Sequence, residues 1–191
     1  NLILGIHFLL LKKCKIFDEK TIVRCYTGRS MRINVRKHER RGYQSIKMSN
    51  ILEKQFLKQR NDFEKSCVER DKKYHFPQGV IFETDIAYAK DKNKAHRLDR
   101  YRPKGKEAQI LPVIINVHGG GLLLGNKEFN KYFCALLSKK GFLVYSMEYR
   151  LIPDCTFFDQ LRDIFLAMDF VKEHAAADGG DLPHVYLVGD S

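Results

Sequence analysis

Two short stretches of this 191-residue chain have residue types and spacing that could do chemistry. The first is His118-Gly119-Gly120-Gly121, followed by Gly125. Consecutive glycines leave backbone N–H groups uncovered and allow dihedrals that other residues avoid. Such a loop can aim two N–H donors at one oxygen, as the stabilisation of a tetrahedral oxyanion requires. A His-Gly-Gly-Gly run arises by chance in a chain of this composition on the order of two times in a thousand. The glycines do not fit G-x-G-x-x-G, and no Lys-Ser/Thr pair closes the loop as in a phosphate-binding P-loop. The second stretch is Gly189-Asp190-Ser191. It reads as the first half of G-x-S-x-G, in which a serine on a sharp turn after a strand is a nucleophile. The glycine two positions ahead is expected where backbones approach too closely for a Cβ. Alone, Gly-Asp-Ser fits any polar turn. His118 and Ser191 lie 73 residues apart, so the chemistry depends on what holds them together.

The elements between them are legible. Val113-Ile114-Ile115-Asn116-Val117 is a nearly continuous β-branched run, the pattern of a strand buried on both faces. Phe142 to Met147 and His184 to Val188 read the same way. Lys127–Lys140 reads as a helix closed by Gly141, a good residue just past a helix end. Asp159–Ala176 reads as a second helix with Leu161, Ile164, Phe165, Met168 and Val171 on one face. Gly179 to Pro183 reads as a turn. Strand, helix, strand, helix, strand predicts an α/β fold with a mostly parallel sheet. Both reactive stretches then fall at carboxyl ends of strands, where open α/β sheets place their ligands. Upstream, Val80, Phe82, Thr84, Ile86 and Tyr88 alternate as a half-buried strand. A polar turn at 90–94 and a returning strand through His96, Leu98 and Tyr101 make an N-terminal antiparallel hairpin. The charges at 90–106 are expected to form a solvated rim. Residues 50–73 read as a helix, with Asn50 and Glu53 resembling a capping pair. Its seam is Leu52, Phe56, Phe63 and Cys67.

Composition bounds the answer. Apolar residues make up 44% and charged residues 30%, ordinary values for one globular domain. They argue against a disordered chain, a collagen-like chain or a membrane bundle. The net charge of +11 is uneven: residues 1–110 carry net +14 and residues 111–191 net −3, and from Met48 onward the balance is only +2. The basic excess therefore belongs to the first 47 residues, and no nucleic-acid partner is expected of the fold. Asn1 to Leu11 is apolar but shorter than the roughly 20 residues a bilayer span needs. No basic segment precedes it and no small-residue cleavage site follows. Three readings stand for it. It is the tail of a membrane anchor that begins upstream, or an ordinary strand or helix, or translated upstream sequence with the start at Met31 or Met48. The last is preferred. Cys14, Cys25, Cys67, Cys134 and Cys155 are odd in number and lack a C-x-x-C pair, which fits free thiols in a reducing compartment better than zinc or a disulfide framework.

From about residue 79 to 191 the chain resembles the hormone-sensitive-lipase-like family of α/β-hydrolases. The resemblance rests on His118-Gly119-Gly120-Gly121 with Gly125, on Tyr149-Arg150-Leu151-Ile152-Pro153, on Asp163, and on Gly189-Asp190-Ser191. It implies an α/β-hydrolase fold, of which this stretch is the front part and the C-terminal part is missing. It also implies a serine carboxylesterase acting on short or medium acyl esters through an acyl-enzyme. Ser191 would be the nucleophile, and the N–H groups of Gly120 and Gly121 would form the oxyanion hole, with a third donor from the residue after Ser191. His118 and Gly119 would support that loop. Tyr149, Arg150 and Asp163 would be structural. The implied partner is a small acyl ester, with no metal and no organic cofactor, and with no nucleic acid or stable membrane span. The implied location is the cytoplasm.

The implied division of the chain is a basic extension at 1–47, a helical cap-like segment at 48–78 and the hydrolase domain at 79–191. Ile152, Asp154 and Phe158 stand where the family usually has Ala, Glu and Pro. A serine needs a base and the base an orienting carboxylate, and in this fold both follow the nucleophile. Neither role is given to His118, His174 or His184, which read as a loop, a helix-end and a strand-start residue. As written, the 191 residues are expected to be a poor enzyme, with an apolar sheet edge exposed along the last strand. The alternative reading is a non-catalytic small-molecule-binding module on the same fold.

Overall fold

The computed structural model describes residues 50–190 and, of the preceding residues, only the backbone of three short strands. These are β1 (Leu9–Leu10), β2 (Ile22–Arg24) and β3 (Ser30–Arg32). Then follow α1 (Asn50–Asp71), β4 (Val80–Ala87), β5 (Arg97–Pro103) and β6 (Leu111–Val117). A single 3₁₀ turn (Lys127–Asn130) leads into α2 (Lys131–Lys139), then β7 (Leu143–Met147), α3 (Phe157–His174) and β8 (Gly180–Gly189). Ser191, Met48, Cys14, Cys25 and the side chains of Met31 and Asn50 lie outside the described residues.

Six strands form one sheet in the order β1-β8-β6-β7-β5-β4. β6 is parallel to both β7 and β8. β5 is antiparallel to β7 and to β4, so the hairpin is grafted onto one side of a parallel centre. β2 and β3 pair separately. The five residues of β7 are all buried. Its apolar run covers both faces, as expected of a strand sandwiched between helices. Leu98, Val113, Ile115, Tyr145 and Met147 pack with Ala167, Met168 and Val171 of α3. Tyr101, Ile114 and Val144 pack with Cys134 and Ala135 of α2. The two helices therefore cover opposite faces of the sheet. This is the α/β architecture that the strand–helix alternation predicts.

Several expectations are refined. The first helix of the crossover begins as 3₁₀ at Lys127 and becomes α at Lys131, ending before Gly141 at φ +100°, a value suited to glycine. α3 starts two residues before Asp159, because Thr156 and Asp159 form a complete capping box, which satisfies orphan N–H groups. Its buried stripe includes Gln160 and Asp163 besides Ala167, Met168 and Val171, so it is not wholly apolar. Gly180 and Asp181 already pair with Leu111 and Pro112, and the expected turn is a register shift inside β8.

The even alternation from Val80 to Tyr88 does not keep to one face. A bulge between Glu83 and Ile86 inserts one extra residue, which reverses the side on which later residues point. Val80 thus joins the core under α2, while Ile86 and Tyr88 join the core under α3. The solvated rim expected at 90–106 is also incomplete, since His96 and Asp99 are buried. β8 was expected to present a bare edge. Leu9 and Leu10 pair with Gly189 and Val188, so one end of that edge is covered by a strand from the apolar N-terminal run. Among the described residues, no helix is long and apolar enough to cross a membrane.

Candidate active site

The loop after β6 is shaped by two glycines that nothing else could replace. Gly120 has φ +124°, and a Cβ there would lie 2.2 Å from the Leu124 carbonyl oxygen. Gly125 has φ +95°, and its Cβ would meet Gly119 O at 2.4 Å and His118 Nδ1 at 2.5 Å. The turn is closed by Leu123 N and Leu124 N donating to Gly120 O at 3.2 and 3.0 Å. Gly189 is less demanding than its motif suggests: a Cβ there would sit 3.4 Å from Val117 O, a snug contact and not a clash.

Three amides of the loop divide into two kinds. Gly119 N donates to Asp190 Oδ1 at 2.8 Å. Among the described residues, the N–H groups of Gly120 and Gly121 donate to no protein acceptor. Uncommitted, adjacent amides at the carboxyl end of a central strand can receive an oxygen that develops negative charge. Asp190 also accepts from Asn130 Nδ2 at 2.9 Å. The residue before Ser191 is thereby tied both to the glycine loop and to the 3₁₀ turn. Ser191 itself lies outside the described residues.

His118 is buried and stacks on the Tyr149 ring, with centroids 4.2 Å apart and planes 13° from parallel. Its Nδ1 faces Gly119 O at 2.9 Å and its Nε2 faces Glu148 Oε1 at 2.9 Å. Both ring nitrogens are occupied by acceptors, so the ring orders the loop and is not placed to take a proton from a nucleophile. Tyr149 completes the clasp, its hydroxyl donating to His118 O at 2.8 Å. Burial pushes the Tyr149 phenol well above its ordinary range, so it stays a donor.

Residues that the motifs did not single out do much of the positioning. Glu148 receives His118, the Lys127 N–H at 3.0 Å and the Tyr149 N–H at 3.3 Å. The ammonium of Lys127 is only 5% exposed and lies 3.0 Å from both Asp99 and Asp85, with Glu128 also paired. Burial alone would lower its pKa, but these carboxylates raise it. Burial raises Asp99 above the usual carboxylate range despite its bonds from Asp85 N and Lys127. Asn116, Ser146 and Asn130 form a buried chain behind the turn: Asn116 Nδ2 donates to Ser146 Oγ, which donates to Lys127 O. No local sequence signal marks this network; Lys127 and Asn130 fall in a segment read only as a helix.

Asp163 binds Arg150 through both oxygens, at 2.9 and 2.7 Å, and faces His96 Nε2 at 3.1 Å. His96 Nδ1 meets Asp91 at 2.7 Å, so this histidine too is engaged at both nitrogens. The Asp163 pairing raises the Arg150 guanidinium further. Gln160 Nε2 donates to Leu122 O and Arg150 O, both at 2.9 Å. This fixes the loop after β7 against the loop after β6. His174 bonds Phe170 O at the end of α3, and His184 bonds Asp181, both away from the glycine loop's polar contacts. Among the described residues, no three of His, Cys, Asp and Glu cluster as a metal site would need. Cys67, Cys134 and Cys155 are free thiols, and burial pushes Cys134 up to about 12 and Cys155 up to about 11.

α1 docks on these loops by charge as much as by its apolar seam. Cys67 is buried and Phe63 packs on Phe129 at 5.1 Å, but Leu52 is 45% exposed. Arg70 donates to Phe129 O at 2.8 Å, and Lys131 pairs with Asp71. Arg60 donates from Nε to Leu123 O at 2.9 Å, from Nη1 to Asp154 Oδ2 at 2.8 Å, and from Nη2 to Ile152 O.

Comparisons with known proteins agree with this fold. A family model described as BD-FAE matches residues 98–191. Isoprenylcysteine alpha-carbonyl methylesterase of Arabidopsis thaliana is 31% identical over 96 residues, which cover 50% of this chain and 22% of that protein. Tuliposide A-converting enzyme b1 of Tulipa gesneriana is 32% identical over 92 residues, 42% of this chain and 25% of that protein. Among solved structures, esterase B from Lactobacillus rhamnosis superposes with a TM-score of 0.69 at 28% identity, covering 73% of this chain and 45% of that one. A bacterial heroin esterase gives 0.59 at 26% identity, covering 68% and 41%. The chain thus spans a fifth to a quarter of the length of these curated relatives.

Proposed function

From its kinship with the hormone-sensitive-lipase-like esterases, whose α/β-hydrolase fold it shares, we propose that the protein is a serine carboxylic ester hydrolase. It acts on short to medium acyl esters. The Ser191 hydroxyl attacks the acyl carbonyl, and the tetrahedral oxyanion is received by the N–H groups of Gly120 and Gly121. The alcohol leaves, an acyl-enzyme remains, and water then releases the acid and restores the hydroxyl. The base and its orienting carboxylate follow the nucleophile in this fold. We assign neither role to a residue among these 191, since His96 and His118 have both nitrogens engaged. The observation that carries the reading is the pair of uncommitted amides at Gly120 and Gly121, in a loop that the Gly119 N–H ties to Asp190, the residue before Ser191.

In this proposal residues 79–191 are the front of the hydrolase domain, 48–78 a cap-like segment, and 1–47 an extension. The substrate is a small ester, in keeping with the methylesterase names among the relatives. No metal or organic cofactor takes part. The location is the cytoplasm, in keeping with the three free thiols among the described residues. The test is hydrolysis of p-nitrophenyl acetate by the protein translated from its whole reading frame. Ser191→Ala lowers kcat at least about a thousandfold, with the fold unchanged by circular dichroism. Turnover that survives this substitution sinks the proposal. The 191-residue polypeptide alone is expected to give no burst of p-nitrophenol above its own Ser191→Ala control.

A further inference from the structure

We propose that Arg60 is a positioning residue that latches α1 to the oxyanion loop and so sets the Gly120–Gly121 amides. This rests on the esterase reading for its catalytic meaning. Its structural content stands on one guanidinium that touches three points. Nε binds Leu123 O, in the turn that Gly120 opens. Nη2 binds Ile152 O, and Nη1 binds Asp154 Oδ2. Ile152 N in turn donates to Leu122 O at 3.0 Å. The loop after β6 and the loop after β7 are therefore bonded to each other and to the same side chain of α1.

The three acceptors are not equivalent. The Asp154 side chain is 64% exposed, whereas the Arg60 side chain is 16% exposed. An exposed ion pair is screened and contributes little. The bonds to two part-buried carbonyls are charge-assisted and need the planar fork of a guanidinium. The latch thus consists of the carbonyl bonds, and the carboxylate is its outer ornament. Lysine offers a single ammonium and cannot bridge Leu123 O and Ile152 O in this way. Leu122 itself has φ +69°, an uncommon value for a residue with a side chain. The loop must therefore be held from several sides, and Gln160 and Arg60 grip the carbonyls of Leu122 and Leu123.

Hydrogen exchange of the full protein tests this without reference to activity. The reporters are the amides of Leu123, Leu124 and Ile152, which donate within and between the two loops. Arg60→Met and Arg60→Lys each speed exchange of these amides about tenfold or more, while amides of β6 and β7 stay protected. Asp154→Asn changes them less than about twofold. If Arg60→Met perturbs the whole fold, Arg60→Lys supplies the same comparison. Wild-type exchange in Arg60→Lys, or an equal effect from Asp154→Asn, overturns the latch. In the catalytically competent protein, Arg60→Lys lowers kcat for p-nitrophenyl acetate with KM held within about twofold, as for a group felt in the transition state. A rise in KM alone overturns the positioning role. If the protein proves to hydrolyse no ester, the exchange experiment still decides the latch, and the esterase reading fails separately.

Discussion

Replacing Lys127 by methionine should be among the most damaging single changes in the hydrolase fold, although nothing in its local sequence marks it. Asp99 is fully buried. Its Oδ1 accepts from Asp85 N and lies 3.0 Å from the Lys127 ammonium, while Oδ2 has no partner. Methionine keeps most of the buried stem and leaves the carboxylate without its cation. Removing one partner of a buried pair costs about 3–5 kcal/mol. The assay is urea unfolding, with the loss read from the midpoint at constant m. Asp99→Asn added to Lys127→Met removes the orphan charge and should restore about 2–3 kcal/mol of it. The pH dependence has a definite sign. Burial already holds Asp99 above its ordinary range, and loss of Lys127 raises it further. A raised folded pKa favours the protonated native state, so the penalty grows as pH rises and vanishes below the unfolded value of about 3.9. The deficit of Lys127→Met is therefore largest at neutral pH and closes toward pH 4. A loss under about 1 kcal/mol at pH 7, or no recovery in the double variant, refutes the reasoning.

Other outcomes follow from the same geometry. Gly125→Ala combines φ +95° with a Cβ 2.4 Å from Gly119 O, and should cost about 3 kcal/mol or more in urea unfolding. Tyr149→Phe keeps the stack on His118 but loses the hydroxyl bond to its carbonyl. It should cost about 1–2 kcal/mol in urea unfolding. Thr156→Ala removes the α3 capping box and should cost about 1 kcal/mol at pH 7. The Thr156 hydroxyl and N–H hold Asp159 below its ordinary range. That stabilisation is complete above about pH 4 and is lost as pH falls through the depressed folded value. The gap between variant and wild type should therefore narrow in strong acid, down to the bond from Asp159 N to the Thr156 hydroxyl.

The parallel centre was legible because β-branched runs such as Val113–Val117 and a helix stop such as Gly141 are local signals. So were the two glycines of the loop, whose steric need is written in their type. What was not legible depends on partners far along the chain. Nothing near Lys127 announces Asp99 on β5, and nothing near Arg60 announces the carbonyls at 123 and 152. The bulge in β4 escaped for a related reason: alternation from Val80 to Tyr88 is unbroken in the sequence, and the extra residue exists only relative to β5. Asp99 fell among the charges expected to form a solvated rim, yet it is buried beside Lys127, and His96 sits between Asp91 and Asp163. Asp190 was read only as part of a Gly-Asp-Ser turn, yet its carboxylate joins that stretch to the glycine loop.

That last bond also orders events in time. During synthesis the glycine loop leaves the ribosome well before Asp190, which lies 71 residues further on. Until β8 takes its place beside β6, the Gly119 amide lacks the carboxylate that fixes it, and the loop's register is set only by contacts already made. Closing so long a loop late is slow and entropically costly. The glycine loop is therefore fixed late, by the strand that ends just before Asp190. A nascent chain can hold a folded hairpin and a packed α2 and still lack the bond that fixes its glycine loop.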